Sequence, residues 1–347
     1  MGLCVLSLFD GIGCGRVALE RAGISVDKYY ASEIEPACIK IAQNHYPQII
    51  ELGDICNISY KDGKLTTTDC VYDVGHIDLI IGGSPCTDFS SIGYSQGMRS
   101  SKTNLYSLYQ YLSLKRQGAV FEGQSYLFWE YVRLLKEIRP TYYLLENVVM
   151  PRQWKGIISF ALQQKPILID SALLSAQNRK RLYWTNISNV TVPQDKGVII
   201  EDILDDTADS SDVSYTKTVQ VALPLLVKKY GYIPQKFNAF NRAEIKDKAC
   251  TLSRGSMVTS SCATLLFVKT DNGVHLVKDG ILDNLYPTRL SDGKYNLRKL
   301  NLREMERLQT LADDYTNVDD ISDSKRSQAI GNGWTVDVIA HILSFLK

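Results

Sequence analysis

The hydrophobic residues of this chain fall into short apolar runs separated by segments with helical spacing, a pattern typical of an α/β sheet. Leu3 to Phe9, Leu79 to Ile81 and Tyr142 to Leu145 are apolar runs short enough to be buried strands. Apolar residues recur at helical spacing from 127 to 138 and again from 338 to 346. We therefore predict strands alternating with helices over the first half of the chain and a helix at its end.

Glycines follow the first apolar run, in the segment Asp10 to Gly15. Glycine lets the backbone approach a ligand at a helix N-terminus, although any tight strand-to-helix turn also needs glycine. Glu33 follows the predicted second strand, where an acid can bind ribose hydroxyls or simply start a helix. Asp54, after a third extended segment, could accept a hydrogen bond from an adenine amino group or cap a turn. The spacing favours a nucleoside site.

Cys86 lies just beyond the run Leu79 to Ile81, after the sequence Gly82-Gly83-Ser84-Pro85. Such a cysteine is either a buried apolar residue or a nucleophile at a strand end, where parallel sheets bind ligands. Two glycines and a proline with a fixed φ favour a thiol that is exposed and aimed. We interpret Cys86 as a nucleophile.

Two later segments are candidates for the same site. Glu146 ends the run Tyr142 to Leu145, and its alternative role is to cap the next helix. Residues 179 to 181 are three consecutive cations, which follow Asn178 and stand beside aromatic residues. These cations form either a solvated turn or a site for a phosphate or an oxyanion.

Composition narrows the class of protein. The 347 residues carry a net charge of +1, so any nucleic-acid contact requires a local basic patch. The 8 cysteines show no CxxC pair or metal-ligand spacing, as expected of free thiols in a reducing compartment. We expect a soluble, intracellular protein without a metal ion or a membrane segment. The segment 94–123 lacks a clear apolar period and is predicted to be a long loop or a partly helical insertion.

The region 189–297 differs from the rest, with short β-prone runs and turns. Residues 213–297 hold twelve Lys or Arg against six Asp or Glu, a local positive excess. Within them, Lys248 to Ser256 combines cations, hydroxyls and a glycine, which suit DNA contact or a plain surface hairpin. Further on, Asn301 to Glu304 resembles a helix capping box, and Gln328 to Trp334 is predicted to be a turn bounded by glycines.

Six segments stand out in order along the chain: Leu6 to Gly15, Ser84-Pro85-Cys86, Glu146-Asn147-Val148, Gln177 to Arg181, Arg298 to Leu311 and Gln328 to Val336. Together they resemble the motifs of the cytosine-C5 methyltransferases that use S-adenosylmethionine. One such match would be weak, whereas six in the correct order cover nearly the whole chain. The chain departs from the family pattern in the insertion after Gly93 and at Gly333-Trp334. In this resemblance the first segment corresponds to the cofactor motif, the second to the catalytic Pro-Cys, the fourth to the QxRxR motif and the last two to the closing motifs of the family.

The resemblance implies an α/β fold of the class I methyltransferase type. This fold is a Rossmann-like, doubly wound and mostly parallel sheet, accompanied by a smaller, β-rich target-recognition domain. Residues 1–188 would form the catalytic and cofactor-binding domain, residues 189–297 the target-recognition domain, and residues 298–347 a segment returning to the catalytic domain.

The resemblance also implies the reaction, which is methyl transfer from S-adenosylmethionine to C5 of cytosine in DNA, with S-adenosylhomocysteine as the product. Cys86 would add to C6 of a flipped-out base, Glu146 would hold or protonate N3, and Arg181, with Arg179, would hold the O2 side. The implied cofactor-binding residues are Phe9, Asp10, Gly11, Ile12, Gly13, Glu33, Ile34, Asp54, Ile55, Pro85, Asn332 and Trp334. The implied DNA-binding residues are Gln177, Thr251 and Arg254.

Expected partners follow from this assignment. We expect a monomer that acts on double-stranded DNA, away from membranes, in the cytoplasm or in a eukaryotic nucleus. Whether a cognate restriction endonuclease accompanies it is left open. The nearest alternative is an RNA cytosine-C5 methyltransferase, and the sizeable recognition segment favours DNA. A cofactor-binding regulatory protein without catalysis is disfavoured because Cys86, Glu146 and Arg181 are all retained.

Overall fold

The computed structural model describes residues 2–85, 97–101, 103–205, 216–253, 260–269, 275–276 and 296–346. Cys86 and Arg254 lie outside these ranges. The described helices are α1 Cys14–Arg21, α2 Pro36–His45, α3 Leu108–Arg116, α4 Phe128–Ile138, α5 Arg152–Leu162, α6 Lys217–Tyr230, α7 Leu302–Leu308, α8 Asp323–Asn332 and α9 Val336–Leu343. None of them is both long and apolar enough to cross a membrane.

The described strands are short, and most belong to one of two larger sheets. They are β1 Leu3–Leu8, β2 Val26–Ser32, β3 Ile50–Glu51, β4 Ser59–Lys61, β5 Lys64–Thr66, β6 Val71–Asp73, β7 Leu79–Gly83, β8 Arg99–Ser100, β9 Phe121–Glu122, β10 Tyr142–Val148, β11 Ile167–Asp170, β12 Lys180–Thr185, β13 Lys236–Asn238, β14 Ala243–Glu244, β15 Leu265–Lys269, β16 His275–Leu276 and β17 Asn296–Lys299.

The central sheet contains the apolar runs predicted from the sequence. Its strand order is β3-β2-β1-β7-β10-β12-β11, with the strands from β3 to β10 parallel and β12 antiparallel to both neighbours. The predicted doubly wound and mostly parallel sheet is therefore confirmed. The order reverses between β1 and β7, so the carboxyl ends of these strands flank the place where such sheets bind ligands.

Burial explains why the central strands carry so few polar residues. Leu6 and Leu8 in β1 and Ile80 in β7 are fully buried, as expected for strands covered on both faces. Gly82 is required in β7, since a Cβ there would lie 2.9 Å from the Leu8 carbonyl oxygen and 3.0 Å from the Tyr131 ring. The glycine thus permits the close packing that leads the chain toward Cys86.

A buried carboxylate joins the insertion to α4. Glu130 in α4 is fully buried and accepts hydrogen bonds from Tyr111, from Lys115 Nζ at 2.5 Å and from Arg133 Nε at 2.6 Å. Arg133 Nη2 also donates to the Ile58 carbonyl at 2.7 Å. Tyr111 and Lys115 lie in α3. The described part of the segment 94–123 is therefore partly helical, which is one of the two alternatives predicted for it.

The chain divides into two compact units. The first unit is Met1–Asp170, Lys180–Pro193 and Val336–Lys347, and the second unit is Ser171–Arg179 and Gln194–Thr335. The predicted functional boundaries at 188/189 and 297/298 stay a prediction. The second unit contains the sheet β14-β13-β15-β16, in which β17 also pairs with β15.

Two local predictions need correction. The region 189–297 contains the helix α6, which the scan for β-prone runs missed, and its helical period buries Val219, Leu223 and Leu226. Burial of that face outweighs the low helix propensity of its β-branched residues. Residues 328–332, predicted as a turn, form the end of α8. Of the two alternatives for the cations at 179–181, the solvated turn does not describe Lys180 and Arg181, which lie in β12.

The predicted capping box at the start of α7 is confirmed. Asn301 Oδ1 accepts from the Glu304 amide at 2.8 Å, and Glu304 Oε2 accepts from the Asn301 amide at 2.9 Å. The sequence did not reveal that Glu304 is fully buried and also binds Arg298, at 2.6 and 2.7 Å. The capping box was predictable from the sequence, whereas the burial of Glu304 and its ion pair with Arg298 were not.

Candidate active site

Three strand ends converge at one edge of the central sheet in the first unit. In the parallel pairing of β7 and β10, Glu146 lies opposite Gly83. In the antiparallel pairing of β10 and β12, Arg181 lies opposite Val148. Because β12 runs in the opposite direction, its first residues reach the edge where β7 and β10 end. Glu146, Arg181 and the Ser84-Pro85 turn therefore share this edge.

Glu146 and Arg181 form an ion pair at the edge. Arg181 Nε lies 2.9 Å from Glu146 Oε1, and their side chains are 15% and 11% exposed. Arg181 Nη1 donates to the Lys180 carbonyl at 2.9 Å. Glu146 lies within β10, and α5 begins only at Arg152, so its alternative role as a helix cap is not what the structure shows.

Asn147 links the end of β10 to the turn before Cys86. The side chain is 1% exposed, and its Nδ2 donates to the Ser84 carbonyl at 3.2 Å and to Ser84 Oγ at 3.0 Å. Its Oδ1 accepts from the Val148 amide at 2.8 Å. The sequence singled out Asn147 only as part of the Glu146-Asn147-Val148 segment, whereas the structure shows that it holds Ser84 before Cys86. Cys86 itself lies outside the described residues.

The glycine-rich turn after β1 has an unusual backbone. Gly11 and Gly13 have φ values of 63° and 78°, and Phe9 has a φ of 60°. The left-handed region is ordinary for glycine but costs a bulky residue such as phenylalanine about 1–3 kcal/mol, and such strain concentrates at functional sites. A Cβ placed on Gly11 would meet nothing within 4 Å, so open space adjoins this turn. The turn therefore suits a ligand that approaches the backbone.

Glu33 connects the ends of β1 and β2. Its Oε2 accepts from the Gly11 amide at 2.8 Å, and its Oε1 accepts from the amides of Ile34 and Glu35 at 2.8 and 2.9 Å. The carboxylate is thus oriented by three backbone donors, one in the glycine turn and two just after β2. Ile34 beside it is 66% exposed, although it is a large apolar residue. An apolar surface next to a fixed carboxylate fits a nucleoside, with the base on the isoleucine and ribose hydroxyls on the carboxylate.

Two further carboxyl groups lie at the ends of the neighbouring strands. Asp10 is 8% exposed and accepts from the Tyr29 hydroxyl at 2.6 Å, and burial raises its pKa to about 6. Burial, with the charges of Asp10 and Glu33, raises the pKa of Glu51 to about 8. Neither carboxyl oxygen of Glu51 has a hydrogen-bond partner among the described residues. Sequence analysis missed Glu51, whose only signal is a charged residue that ends a short apolar strand.

The remaining predicted cofactor residues of the first unit either make local hydrogen bonds or are buried in the core. Asp54 Oδ1 accepts from the Cys56 amide at 2.9 Å, so the structure shows the turn-capping alternative. Ile12 and Ile55 are 0% and 3% exposed and lie in the core. Within the described ranges no group of three or more His, Cys, Asp or Glu residues is suited to a metal ion. The contribution of Asp54 and Ile55 to a base pocket stays a prediction.

Arg179 belongs to the second unit and is 4% exposed. Its Nη1 donates to the Leu252 carbonyl at 2.7 Å, and its Nη2 donates to the Gly333 carbonyl at 2.9 Å. Arg179 therefore braces the segment that contains Asn332, which is exposed, and Trp334, which is half-buried. These contacts give Arg179 a structural task that the prediction of a direct catalytic contact did not include.

The predicted DNA-binding residues differ in exposure. Gln177 is fully buried, donates to the Leu308 carbonyl at 2.5 Å and accepts from the Leu252 amide at 3.2 Å, so its amide is engaged inside the second unit. Thr251 is partly exposed, and its hydroxyl donates to the Asn178 carbonyl. Arg254 lies outside the described residues. Of these three, only Thr251 is seen near the surface.

Comparison with known proteins places this chain in a family. The family described as C-5 cytosine-specific DNA methylase matches residues 3–153 and 171–347. The chain is 29% identical over 210 residues to the orphan methyltransferase M.Rho11sI of Bacillus phage rho11s, an alignment that covers 57% of this chain and 35% of the phage protein. This chain therefore spans only about a third of that relative.

Two other similarities extend over the full length. The chain is 25% identical over 363 residues to the type II methyltransferase M.NlaX of Neisseria lactamica, covering 99% of this chain and 96% of the relative. Its fold is similar to that of the Entamoeba histolytica methyltransferase EhMeth, with a TM-score of 0.64, 15% identity, and coverage of 99% and 98% of the two chains. The structural similarity concerns the fold alone.

Proposed function

Because the chain belongs to the C-5 cytosine-specific DNA methylase family, we propose that it transfers a methyl group from S-adenosylmethionine to C5 of cytosine in DNA. The observation that carries this proposal is the Glu146–Arg181 ion pair at the sheet edge where the Ser84-Pro85 turn begins. A carboxyl group and a guanidinium at this edge suit proton transfer and anion stabilisation on one planar ring. S-adenosylhomocysteine would be the second product.

Cys86 is the proposed nucleophile. Cytosine C5 attacks an electrophilic methyl group poorly, so the ring needs activation before transfer. Addition of the Cys86 thiolate to C6 moves the electron pair of the C5–C6 double bond away from C6 and into the ring. C5 then becomes nucleophilic enough to attack the methyl group. After C5 has taken the methyl group, C5 loses its proton to a base, for which water is a candidate, and elimination of the thiolate restores the double bond.

Glu146 and Arg181 are proposed to control the charge that thiolate addition places in the ring. A protonated Glu146 would donate to N3, which neutralises the ring as the thiolate adds. Arg181 Nη2 would donate to O2 while Nε keeps its contact with Glu146. In this arrangement each side chain holds the other in the orientation that the ring requires.

The target cytosine would have to leave the double helix. Inside a duplex its C6 and N3 cannot meet a thiol and a carboxyl group, so the base is proposed to be flipped out. Flipping costs a few kcal/mol of stacking and pairing, which contacts with the surrounding DNA must offset. Residues of the predicted recognition region, including Thr251 and Arg254, are proposed to contribute such contacts.

The glycine turn and Glu33 are proposed to bind S-adenosylmethionine, which supplies an activated methyl group. The open space at Gly11, the carboxylate of Glu33 and the exposed side chain of Ile34 fit a nucleoside. The Asp10 and Glu51 carboxyl groups add negative potential whenever they are ionised, which favours a positively charged ligand. Pro85 and Phe9 at the strand ends, with Asn332 and Trp334, complete the proposed set.

Substitution of Glu33 by alanine is expected to weaken cofactor binding by about 1–3 kcal/mol, the cost of losing a charge-assisted hydrogen bond. Titration calorimetry with S-adenosylhomocysteine measures the effect directly. Glu35→Ala is the matched control, since Glu35 is the next carboxylate in the same turn. Equal affinities for wild type and the Glu33 variant would show that Glu33 only fixes the local backbone.

A substrate comparison tests the proposed function as a whole. The full chain is incubated with radiolabelled S-adenosylmethionine and with duplex DNA or tRNA, and transferred label is counted. We expect label in DNA, at cytosine C5, and sequencing of 5-methylcytosine then identifies the target sequence. Label in tRNA alone would establish the RNA alternative, and cofactor binding without any transfer would favour a regulatory protein.

A further inference from the structure

Cations from two helices hold the turn that follows β3. This turn consists of residues 54–58 and contains two of the predicted cofactor-binding residues, and we call it the 54–58 turn. Lys115 Nζ, in α3, donates to the Cys56 carbonyl at 3.4 Å. Arg133 Nη2, in α4, donates to the Ile58 carbonyl at 2.7 Å. The turn is therefore attached both to α4 and to a helix of the segment 94–123.

One buried carboxylate joins the two cations. Glu130 is fully buried, and its two oxygens accept from Lys115 Nζ at 2.5 Å and from Arg133 Nε at 2.6 Å. Tyr111, which is 1% exposed, also donates its hydroxyl to Glu130. Such a group resists displacement, because separating it from its partners would leave an unpaired charge in the interior. These four side chains, which we call the Glu130 cluster, thus fix the 54–58 turn relative to α3 and α4.

The same turn is tied to the strand end that carries Glu33. Ser32 Oγ, at the end of β2, donates to the Gly53 carbonyl at 2.7 Å. The side chain of Asp54 in turn accepts from the Cys56 amide at 2.9 Å. A ligand that contacts both Glu33 and the 54–58 turn would be sensitive to any shift of the turn, since binding depends on the positions of both.

We propose that α3 is a positioning element for the cofactor and that it acts on the 54–58 turn through Lys115 and the Glu130 cluster. The inference rests on the proposed binding of S-adenosylmethionine and extends it to the segment 94–123, to which no cofactor residue was assigned. Lys115 and Tyr111 are positioning residues, which act through the turn rather than on the cofactor itself. Because coupling between two sites is reciprocal, a cofactor on the turn should also stabilise α3. A cluster that only supports the fold would not respond to the cofactor.

Amide hydrogen exchange on the wild-type chain tests this coupling without any substitution. S-adenosylhomocysteine should slow exchange in peptides that cover residues 108–116 at least about threefold, because the occupied turn holds Lys115 and thereby α3. Peptides that cover β11 serve as the reference, since β11 lies at the edge of the central sheet opposite β3. Unchanged exchange of α3 in a protein that binds S-adenosylhomocysteine would overturn the proposal.

A substitution in α3 tests the effect on the cofactor. Lys115→Met removes the cation, keeps an apolar chain of similar length and leaves Glu130 paired with Arg133. It should weaken S-adenosylhomocysteine binding and raise KM for S-adenosylmethionine, each at least about fivefold, with kcat at saturating cofactor unchanged. Lys115→Arg should restore most of the affinity, because a guanidinium can also donate to a carboxylate and a carbonyl. Arg116→Gln is the matched control, since Arg116 is exposed and donates to the Leu112 carbonyl within α3.

The possible outcomes separate this inference from the proposed function. If the wild type methylates DNA and Lys115→Met keeps its affinity for S-adenosylhomocysteine, the positioning role is overturned and the proposed function stands. A lower melting temperature of Lys115→Met with wild-type affinity has the same meaning, because the cluster then only supports the fold. If α3 responds to S-adenosylhomocysteine but no methyl group is transferred, the proposed function fails and the positioning role holds. A chain that binds no S-adenosylhomocysteine overturns both.

Discussion

Substitution of Cys86 by alanine is expected to lower methyl transfer to less than about a hundredth of the wild-type rate, because the ring then lacks the nucleophile that activates C5. Binding of S-adenosylhomocysteine should persist, since the thiol acts on the base and not on the cofactor. Single-turnover transfer of labelled methyl groups and calorimetry on the same protein measure the two properties. Cys38→Ala is a suitable control, because burial raises the pKa of the Cys38 thiol well above its usual range and favours the neutral form.

A mechanism-based substrate gives an independent test of the same step. DNA with 5-fluorocytosine at the target position should trap a covalent adduct with wild type, since fluorine cannot leave C5 as a proton does. The Cys86→Ala protein should form no adduct, and peptide mapping should place the modification on Cys86. An active enzyme that forms no adduct, or an alanine variant that keeps substantial turnover, would overturn the covalent mechanism.

The second large effect is expected at Glu146. Glu146→Gln should lower kcat by about 10²–10⁴, the range in which a positioned acid or base contributes, with little change in cofactor affinity. A glutamine keeps the size of the side chain but cannot supply a proton to N3. Glu137→Gln is the matched control, since Glu137 forms an ion pair of 2.8 Å with Arg133 away from the sheet edge.

The partner of Glu146 sharpens this prediction. Arg181→Lys keeps a positive charge but loses the Nη2 donor, and we expect it to lower kcat by about 10²–10³, as for removal of one oxyanion donor. If the two groups act together, the double variant should lose much less than the product of the single effects. Near wild-type kcat for Glu146→Gln would remove Glu146 from the chemistry and leave the ion pair a structural feature.

Some parts of the fold and site were predictable because they depend on a few residues that are neighbours in the sequence. Apolar runs identify β1, β7 and β10, the glycines after Phe9 identify a tight turn, and Asn301 with Glu304 identifies a helix start. Other parts were missed for equally physical reasons. The helix α6 is stabilised by burial of one face, so its β-branched residues gave a misleading local signal.

The two arginines of the QxRxR motif show what sequence could not decide. In the structure, Arg179 is buried and donates to the carbonyls of Leu252 and Gly333, whereas Arg181 forms an ion pair with Glu146. The local sequence around the motif does not reveal this difference. Likewise, the contact of Asn147 with Ser84 joins residues that are far apart in the chain. Such contacts depend on the path of the chain after each local element has formed.

The sequence by itself determined the order of the strands along the chain, the residue types at their ends and the family to which they belong. Each of these depends on local spacing, because side-chain periodicity and turn chemistry act over a few residues. Only the tertiary structure decided that antiparallel β12 lies beside β10, which brings Arg181 to Glu146. It also decided that the Glu51 carboxyl group is buried near Asp10 and Glu33. Strand register and burial join distant residues, and for that reason they appear only once the chain has folded.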